Sequence, residues 1–85
     1  MKAVHCTDYD ALLAAGPGGY FIQPDRASMF INLPGDTIPS VLRLGGDIHP
    51  RWLLSGPDDC PSLTPSINAP GQWHGYLTNG VLVGC

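Results

Sequence analysis

Residues 73–85 read Trp-His-Gly-Tyr-Leu-Thr-Asn-Gly-Val-Leu-Val-Gly-Cys, with Asn79 and Gly80 at the centre of the segment. Asn-Gly favours a two-residue type I′ turn, because both central residues of that turn need a positive φ. Such a turn makes the segment a β-hairpin and sets its register. The predicted cross-strand pairs are Thr78 with Val81, Leu77 with Leu82, Tyr76 with Val83, Gly75 with Gly84, and His74 with Cys85.

Side chains alternate between the two faces of a strand, and this divides the hairpin into two sets of residues. One face takes Trp73, Leu77 and Leu82. The other face takes His74, Tyr76, Thr78, Val81, Val83 and Cys85. Directly opposed residues have Cβ atoms about 4.5–5.5 Å apart, so His74 and Cys85 are predicted to be neighbours.

Short apolar runs between glycines and prolines fill most of the remaining chain. They are typical of strands and lie at residues 20–23, 28–33, 40–44 and 51–54. One short helix is predicted, capped by Thr7 with Asp10 at its third position, and stopped by the Gly-Pro-Gly-Gly of residues 16–19. The pattern predicts a mainly β fold: a small antiparallel sheet or partly open barrel with one short N-terminal helix and a C-terminal hairpin.

Length and charge limit what the chain can do. Its 85 residues predict a single domain over residues 1–85, and a net charge of −3 with four scattered basic residues gives no basic stripe. Binding to nucleic acid or to a membrane surface needs such a stripe, so neither partner is expected. The longest apolar run is about five residues and no long apolar segment follows the N-terminus, so we expect neither a membrane span nor secretion.

The cysteines and histidines are the candidates for a metal site. A thiolate and an imidazole on opposed strand positions, such as Cys85 and His74, supply half of a tetrahedral zinc site. Cys60 or Cys6, or else His5 or His49, would have to complete it. There is no Cys-x-x-Cys pair, and free thiols in a reducing compartment are the simpler expectation. The alternative to zinc is a half-buried His74 beside a small buried Cys85, with no cofactor.

No catalytic residue is predicted. A Cys–His nucleophile needs a third group to orient the imidazole, and Asp58 and Asp59 are candidates only by composition. No phosphate-binding loop, dinucleotide fingerprint or serine elbow occurs. The sequence therefore predicts a protein that is not an enzyme.

Several residues are predicted to be structural. Pro61 and Pro65 cannot donate to a sheet, so residues 61–67 should form an edge strand or an extended loop that leads to the hairpin. Leu63 and Ile67 should point inward, and the hydroxyls of Thr64 and Ser66 should bond nearby backbone groups. Trp73, Asn79 and Gly80 complete this structural set. The aromatic residues, namely Tyr20, Phe21, Phe30, Trp52, Trp73 and Tyr76, are expected to form the core.

Two of these segments resemble a family of small proteins of unknown function. They are Cys-Pro-Ser-Leu-Thr-Pro-Ser-Ile at residues 60–67 and Trp-His-Gly-Tyr-Leu-Thr-Asn-Gly at residues 73–80, preceded by Trp52 and by a looser match at residues 30–35. Members of that family are frequent in tailed phages and prophages and are often labelled ammonia monooxygenase. Some relatives occur beside bacterial ubiquitin-like conjugation components, and some carry an N-terminal Cys-x-Cys-Gly cluster that suggests bound metal. The likeness covers roughly residues 28–85.

This chain departs from the family at the residues that would bind metal. It has no Cys-x-Cys-Gly cluster, and Trp73 stands where many relatives have a cysteine before the histidine. The resemblance therefore implies a non-enzymatic phage-type protein that acts through protein–protein contacts, as a virion structural or decoration component or a small accessory factor. Its partner would be another protein or further copies of itself in a virion assembly, in the host cytoplasm or the virion. The alternative is a zinc-binding or cysteine-dependent domain in a ubiquitin-like or host-defence context.

Overall fold

Nine short strands and one helix follow one another in the computed structural model, which describes all of residues 1–85. In chain order they are β1 (Val4–Cys6), α1 (Tyr9–Ala15), β2 (Gly19–Ile22), β3 (Ser28–Ile31), β4 (Ser40–Arg43), β5 (Leu53–Ser55), β6 (Ser62–Thr64), β7 (Ile67–Ala69), β8 (Trp73–Thr78) and β9 (Val81–Gly84). The mainly β class is confirmed. The strands form three small sheets and no closed barrel.

The largest sheet has the strand order β1-β2-β3-β4. β2, β3 and β4 are antiparallel neighbours, whereas β1 runs parallel to β2. A parallel pair needs a crossover connection, and residues 7–18 with α1 provide it. This parallel pair was not foreseen in the sequence, because three residues of β1 are too few to show a strand period.

The helix begins one residue later than predicted. Asp8, not Thr7, is the N-cap, and its carboxylate accepts a hydrogen bond of 2.7 Å from the Ala11 amide. This satisfies one of the free N–H groups of the first turn. The helix ends as expected at Gly16, whose φ is +73°. α1 has seven residues and is the only helix, so no helix is long enough to cross a membrane.

The hairpin register is confirmed from Thr78–Val81 to Gly75–Gly84. Asn79 and Gly80 have φ of +48° and +75°, as a type I′ turn requires. The Cys85 amide donates to the His74 carbonyl at 2.9 Å, which extends the pairing to the last residue. β7 adds to the other side of β8 and completes a three-stranded sheet.

Residues 61–67 lead to the hairpin as two short strands joined at Pro65. Leu63 and Ile67 are buried as predicted, at 1% and 2% exposure. The hydroxyls behave differently from the prediction, since Ser66 Oγ lies 3.1 Å from the His74 ring and not against backbone. The hydroxyl that does bond backbone is that of Ser62, which accepts a 2.8 Å hydrogen bond from the Asn79 amide and so ties β6 to the turn.

The core lies between the large sheet and the hairpin. It is built mainly of aliphatic side chains together with Tyr20, and Leu44, Trp52, Leu54, Ala69 and Trp73 pack against it. The expectation that all the aromatic residues form the core was wrong for Tyr76, which is 47% exposed, and for Phe21 and Phe30, whose rings stack on each other outside the core. Tyr76 belongs to the face of the hairpin that points away from the core.

Candidate functional site

The four predicted metal candidates lie in three separate places. His74 and Cys85 are cross-strand neighbours at the open end of the hairpin. Cys60 lies at the turn end, where its thiol donates to the Asn79 carbonyl at 3.1 Å. Cys6 is buried in β1. Four residues of β8 separate the two hairpin ends, about 13 Å at 3.3 Å per residue, so Cys60 cannot share an ion with His74.

Neither His74 nor Cys85 has the environment expected of an inert core pair. The alternative to zinc was a half-buried His74 beside a buried Cys85, but both residues are exposed. Nowhere in the chain do three or more His, Cys, Asp or Glu side chains come together in a group that could hold a metal ion. His5 stacks on Tyr20 at 5.3 Å between ring centroids. His49 lines a cleft that adjoins the hairpin through Ser66, but it belongs to no group of ligands there.

Asp58, one of the two candidate orienting residues for a cysteine nucleophile, is engaged with Arg26. Both carboxylate oxygens of Asp58 accept hydrogen bonds from Arg26, at 2.9 and 3.1 Å, and this lowers the pKa of Asp58. The Asp58 carbonyl also accepts a 2.5 Å hydrogen bond from the Tyr20 hydroxyl. Burial, helped by the negative charges of Asp59 and Asp58, raises the pKa of Tyr20 to about 12. The loop around Asp58 is thus anchored to the large sheet.

The outer face of the hairpin is an apolar surface with polar neighbours. The exposed side of the hairpin, here named the hairpin face, consists of His74, Tyr76, Thr78, Val81, Val83 and Cys85. Its centre is the opposed pair Tyr76 and Val83, which are 47% and 52% exposed, with Val81 beside them at 38%. A contiguous exposed patch of aromatic and aliphatic side chains is a candidate contact surface.

Residues 1–3 widen this face and close its edge. Lys2 bridges to Val81, and the Met1 nitrogen and carbonyl both bond Leu82, so the N-terminal segment lies beside β9 as a further strand. Sequence reasoning missed this pairing, because Met-Lys-Ala has no strand pattern. The pairing protects most of the β9 edge from a partner strand. Contacts of the hairpin face must therefore come from side chains.

Three segments that carry the family resemblance meet beside the hairpin. The Trp52 indole N–H donates to the Ser66 carbonyl at 3.4 Å, and Ser66 Oγ lies 3.1 Å from His74 Nε2. A serine–imidazole contact resembles part of a nucleophilic site, but no group here holds the other ring nitrogen as such a site needs. The two contacts join Trp52, the segment at 60–67 and the hairpin.

Comparison of the chain with models of protein families, with curated proteins and with solved structures gave no match. Its function therefore has to be inferred from its own residues.

Proposed function

We propose that this chain is a non-enzymatic, phage-type protein that acts through protein–protein contacts, as a virion component or a small accessory factor, and that it binds further copies of itself through the hairpin face. The observation that carries the proposal is the exposed Tyr76–Val83 pair at the centre of a sheet face. The phage context rests on the resemblance of residues 60–67 and 73–80 to the phage and prophage family.

Charge favours a second copy as the occupant. The chain carries seven aspartates and a net charge of −3, so most of its surface repels its own copies. The hairpin face contains no acidic side chain, and Lys2 at its rim is basic. Two copies therefore meet with least repulsion through this face.

The composition of the face agrees with a contact surface. Tyrosine is enriched at interface centres, where its ring covers a large area with little loss of rotamer freedom. Around Tyr76 the rim is polar, with Thr78 at one end and His74 at the other. Two-fold contacts place the same patch on both partners, so Tyr76 and Val83 of one copy pack on Tyr76 and Val83 of the other.

The area of the hairpin face can be compared with that of a standard interface. A standard interface takes about 800 Å² from each partner, roughly one sixth of the 4911 Å² that the chain exposes. The sheet consists of β8 with six residues, β9 with four, and β7 and residues 1–3 with three each. At about 4.8 Å between strands and 3.3 Å per residue, it presents a flat area of about 250 Å². The face alone falls short of the standard area, so the assembly should be concentration-dependent and strengthened where many copies are held together.

The test compares Val83→Asp with Val41→Asp. Val41 is a matched control because it is an exposed valine on a strand of the other sheet, 58% exposed against 52% for Val83. We expect the wild-type mass, measured by light scattering across a wide range of concentration, to rise above 9.0 kDa. Val83→Asp should hold the chain at the monomer mass, while Val41→Asp should leave the rise unchanged.

The proposal is overturned by a wild-type chain that stays at 9.0 kDa at every concentration and brings no other protein with it from the producing cells. Equal behaviour of the two aspartate variants would also overturn the role of the hairpin face. A different protein that co-purifies with the wild type, and is lost with Val83→Asp, would replace the second copy as the occupant.

A zinc-binding role is the second candidate, favoured by one observation. His74 and Cys85 are adjacent and both exposed, so they offer two of the four ligands of a tetrahedral site. Two further ligands would have to come from another chain. Elemental analysis of the purified protein tests this: zinc that is lost in His74→Ala supports the role, and protein free of zinc after purification and after zinc addition rejects it.

A further inference from the structure

A cleft beside Trp52 has the features of a binding site and is not part of the hairpin face. Its volume is about 520 Å³, and its lining includes His49, Arg51, Trp52, Pro65 and Ser66. Ligand sites in proteins typically occupy about 300–1,000 Å³. The cleft is therefore large enough for a small organic molecule.

Arg51 is the unusual residue in this cleft. Its Nε is buried and is the only buried side-chain nitrogen or oxygen in the chain without a hydrogen-bond partner. A buried donor without an acceptor is costly, and in native structures such a group calls for a specific explanation. Nε itself has no accessible surface, whereas the two Nη groups of the same guanidinium are neither buried nor hydrogen-bonded within the chain, so they are the donors that a ligand in the cleft can reach.

The charge around the cleft is of one sign. None of the seven aspartates lines it, although the chain as a whole is acidic. Arg26 forms the single ion pair of the structure, with Asp58, so Arg51 has no carboxylate partner. Arg43 lines a neighbouring cleft that shares Trp52 and Pro50 with this one, and it too lacks an acidic partner. Arg43 and Arg51 thus line two clefts that share Trp52.

From this arrangement we propose that the Arg51 cleft binds a small organic oxyanion, a carboxylate or phosphate carried on a flat apolar body. The planar guanidinium matches the geometry of two oxygens on one carboxylate or phosphate. Trp52 and Pro65 offer flat apolar surfaces to the body of the ligand. The Ser66 hydroxyl and the His49 imidazole add polar contacts around the oxyanion.

The test uses benzoate, phenyl phosphate and neutral benzamide as probes, which share a ring and differ in the group that meets Arg51. Binding is followed by the NMR resonances of the Arg51 Nε–H and the Trp52 indole N–H. We expect saturable shifts of both resonances with one or both oxyanions, and no saturation with benzamide. The ratio of the two oxyanion affinities then distinguishes carboxylate from phosphate as the natural group.

Variants at two arginines complete the test. Arg51→Gln should weaken oxyanion binding about tenfold or more, since hydrogen bonds to charged groups are the strong ones. Arg51→Lys keeps the charge and should also bind more weakly, because an ammonium lacks the planar fork. Arg26→Gln is the matched control, since Arg26 is already held by Asp58, and it should bind as the wild type does.

Benzamide that binds as tightly as benzoate would overturn the proposal, as would an Arg51→Gln variant with unchanged affinity. Absence of a saturable shift with both oxyanions would overturn it as well. Dispersed amide spectra of the variants establish that they are folded, and the Arg51→Lys result remains decisive if Arg51→Gln does not fold.

Discussion

Replacing Gly75 with alanine should destabilise the protein severely, although the change adds a single methyl group. Gly75 lies in β8 opposite Gly84, and the indole of Trp73 lies over this glycine pair. A Cβ at Gly75 would lie 2.6 and 2.7 Å from two Trp73 ring carbons and would overlap the Val83 carbonyl oxygen. Carbon atoms pack best at about 3.5–4.0 Å, so ring and backbone must both move.

The expected loss of stability in Gly75→Ala depends on which neighbouring atoms must move. Overpacking a well-packed site costs about 1–3 kcal/mol, occasionally more. Here one neighbour is the backbone of the paired strand, so we expect about 3 kcal/mol, at the top of that range. A chain of this length has a total stability of roughly 4–13 kcal/mol. The melting temperature should fall by about 12–24 °C, at roughly 4–8 °C per kcal/mol for a domain of this size.

Gly84→Ala is the matched control from the same cross-strand pair. A Cβ there meets only ordinary contacts, the nearest being Trp73 Nε1 at 3.6 Å. Its stability should stay within about 0.5 kcal/mol of the wild type, as for most surface changes. Urea unfolding followed by circular dichroism and tryptophan fluorescence measures both variants. Equal stability of the two alanine variants would refute the packing of Trp73 on Gly75.

Three further predictions concern the segments that anchor the sheets. Tyr20→Phe should lower the unfolding free energy by about 0.5–1.5 kcal/mol, because it removes the hydrogen bond to the Asp58 carbonyl. The same variant should lose a phenolate absorbance step at about pH 12, and persistence of that step would assign it to another tyrosine. Because the pKa of Tyr20 is raised in the folded state, its contribution should be complete below about pH 10 and lost as the pH rises toward that step. Asp58→Asn should be less stable than the wild type near neutral pH. Because Arg26 lowers the pKa of Asp58 in the folded state, this difference should vanish as the pH falls below the usual carboxyl pKa of 3.8. A difference that persists in acid would contradict the ion pair as its cause. Gly80→Ala should cost about 1 kcal/mol or more in urea unfolding because its φ is +75° and the new Cβ would lie 3.2 Å from Cys60 Cα, and an alanine variant as stable as the wild type would contradict the turn geometry.

Most of what could be predicted about the fold follows from the conformational preferences of single residues and from alternation within short segments. The hairpin register depends on two residues, Asn79 and Gly80, whose tolerance of positive φ is intrinsic to them. The inward direction of Leu63 and Ile67 depends on alternation within one short segment. The N-cap was misplaced by one residue, because Thr7 and Asp8 are both good caps and only the path of the chain from β1 selects between them.

The site depended on contacts that no local pattern encodes. Residues 1–3 pair with β9 although the two segments lie at opposite ends of the chain, and this pairing covers the β9 edge of the sheet. Alternation placed Tyr76 and Val83 together on one face, but it could not tell which face the large sheet would cover. The prediction that His74 and Cys85 are neighbours was correct, whereas the exposure of both side chains depended on how the rest of the chain packs.

The sequence by itself thus determined the hairpin, its register and the low charge of the chain, because these follow from backbone sterics and composition. Only the tertiary structure decided that Tyr76 faces outward and that Arg51 has a buried Nε without a partner. Burial and hydrogen-bond partners depend on segments far apart in the chain, here residues 49–52 and 65–68, that come together around Trp52.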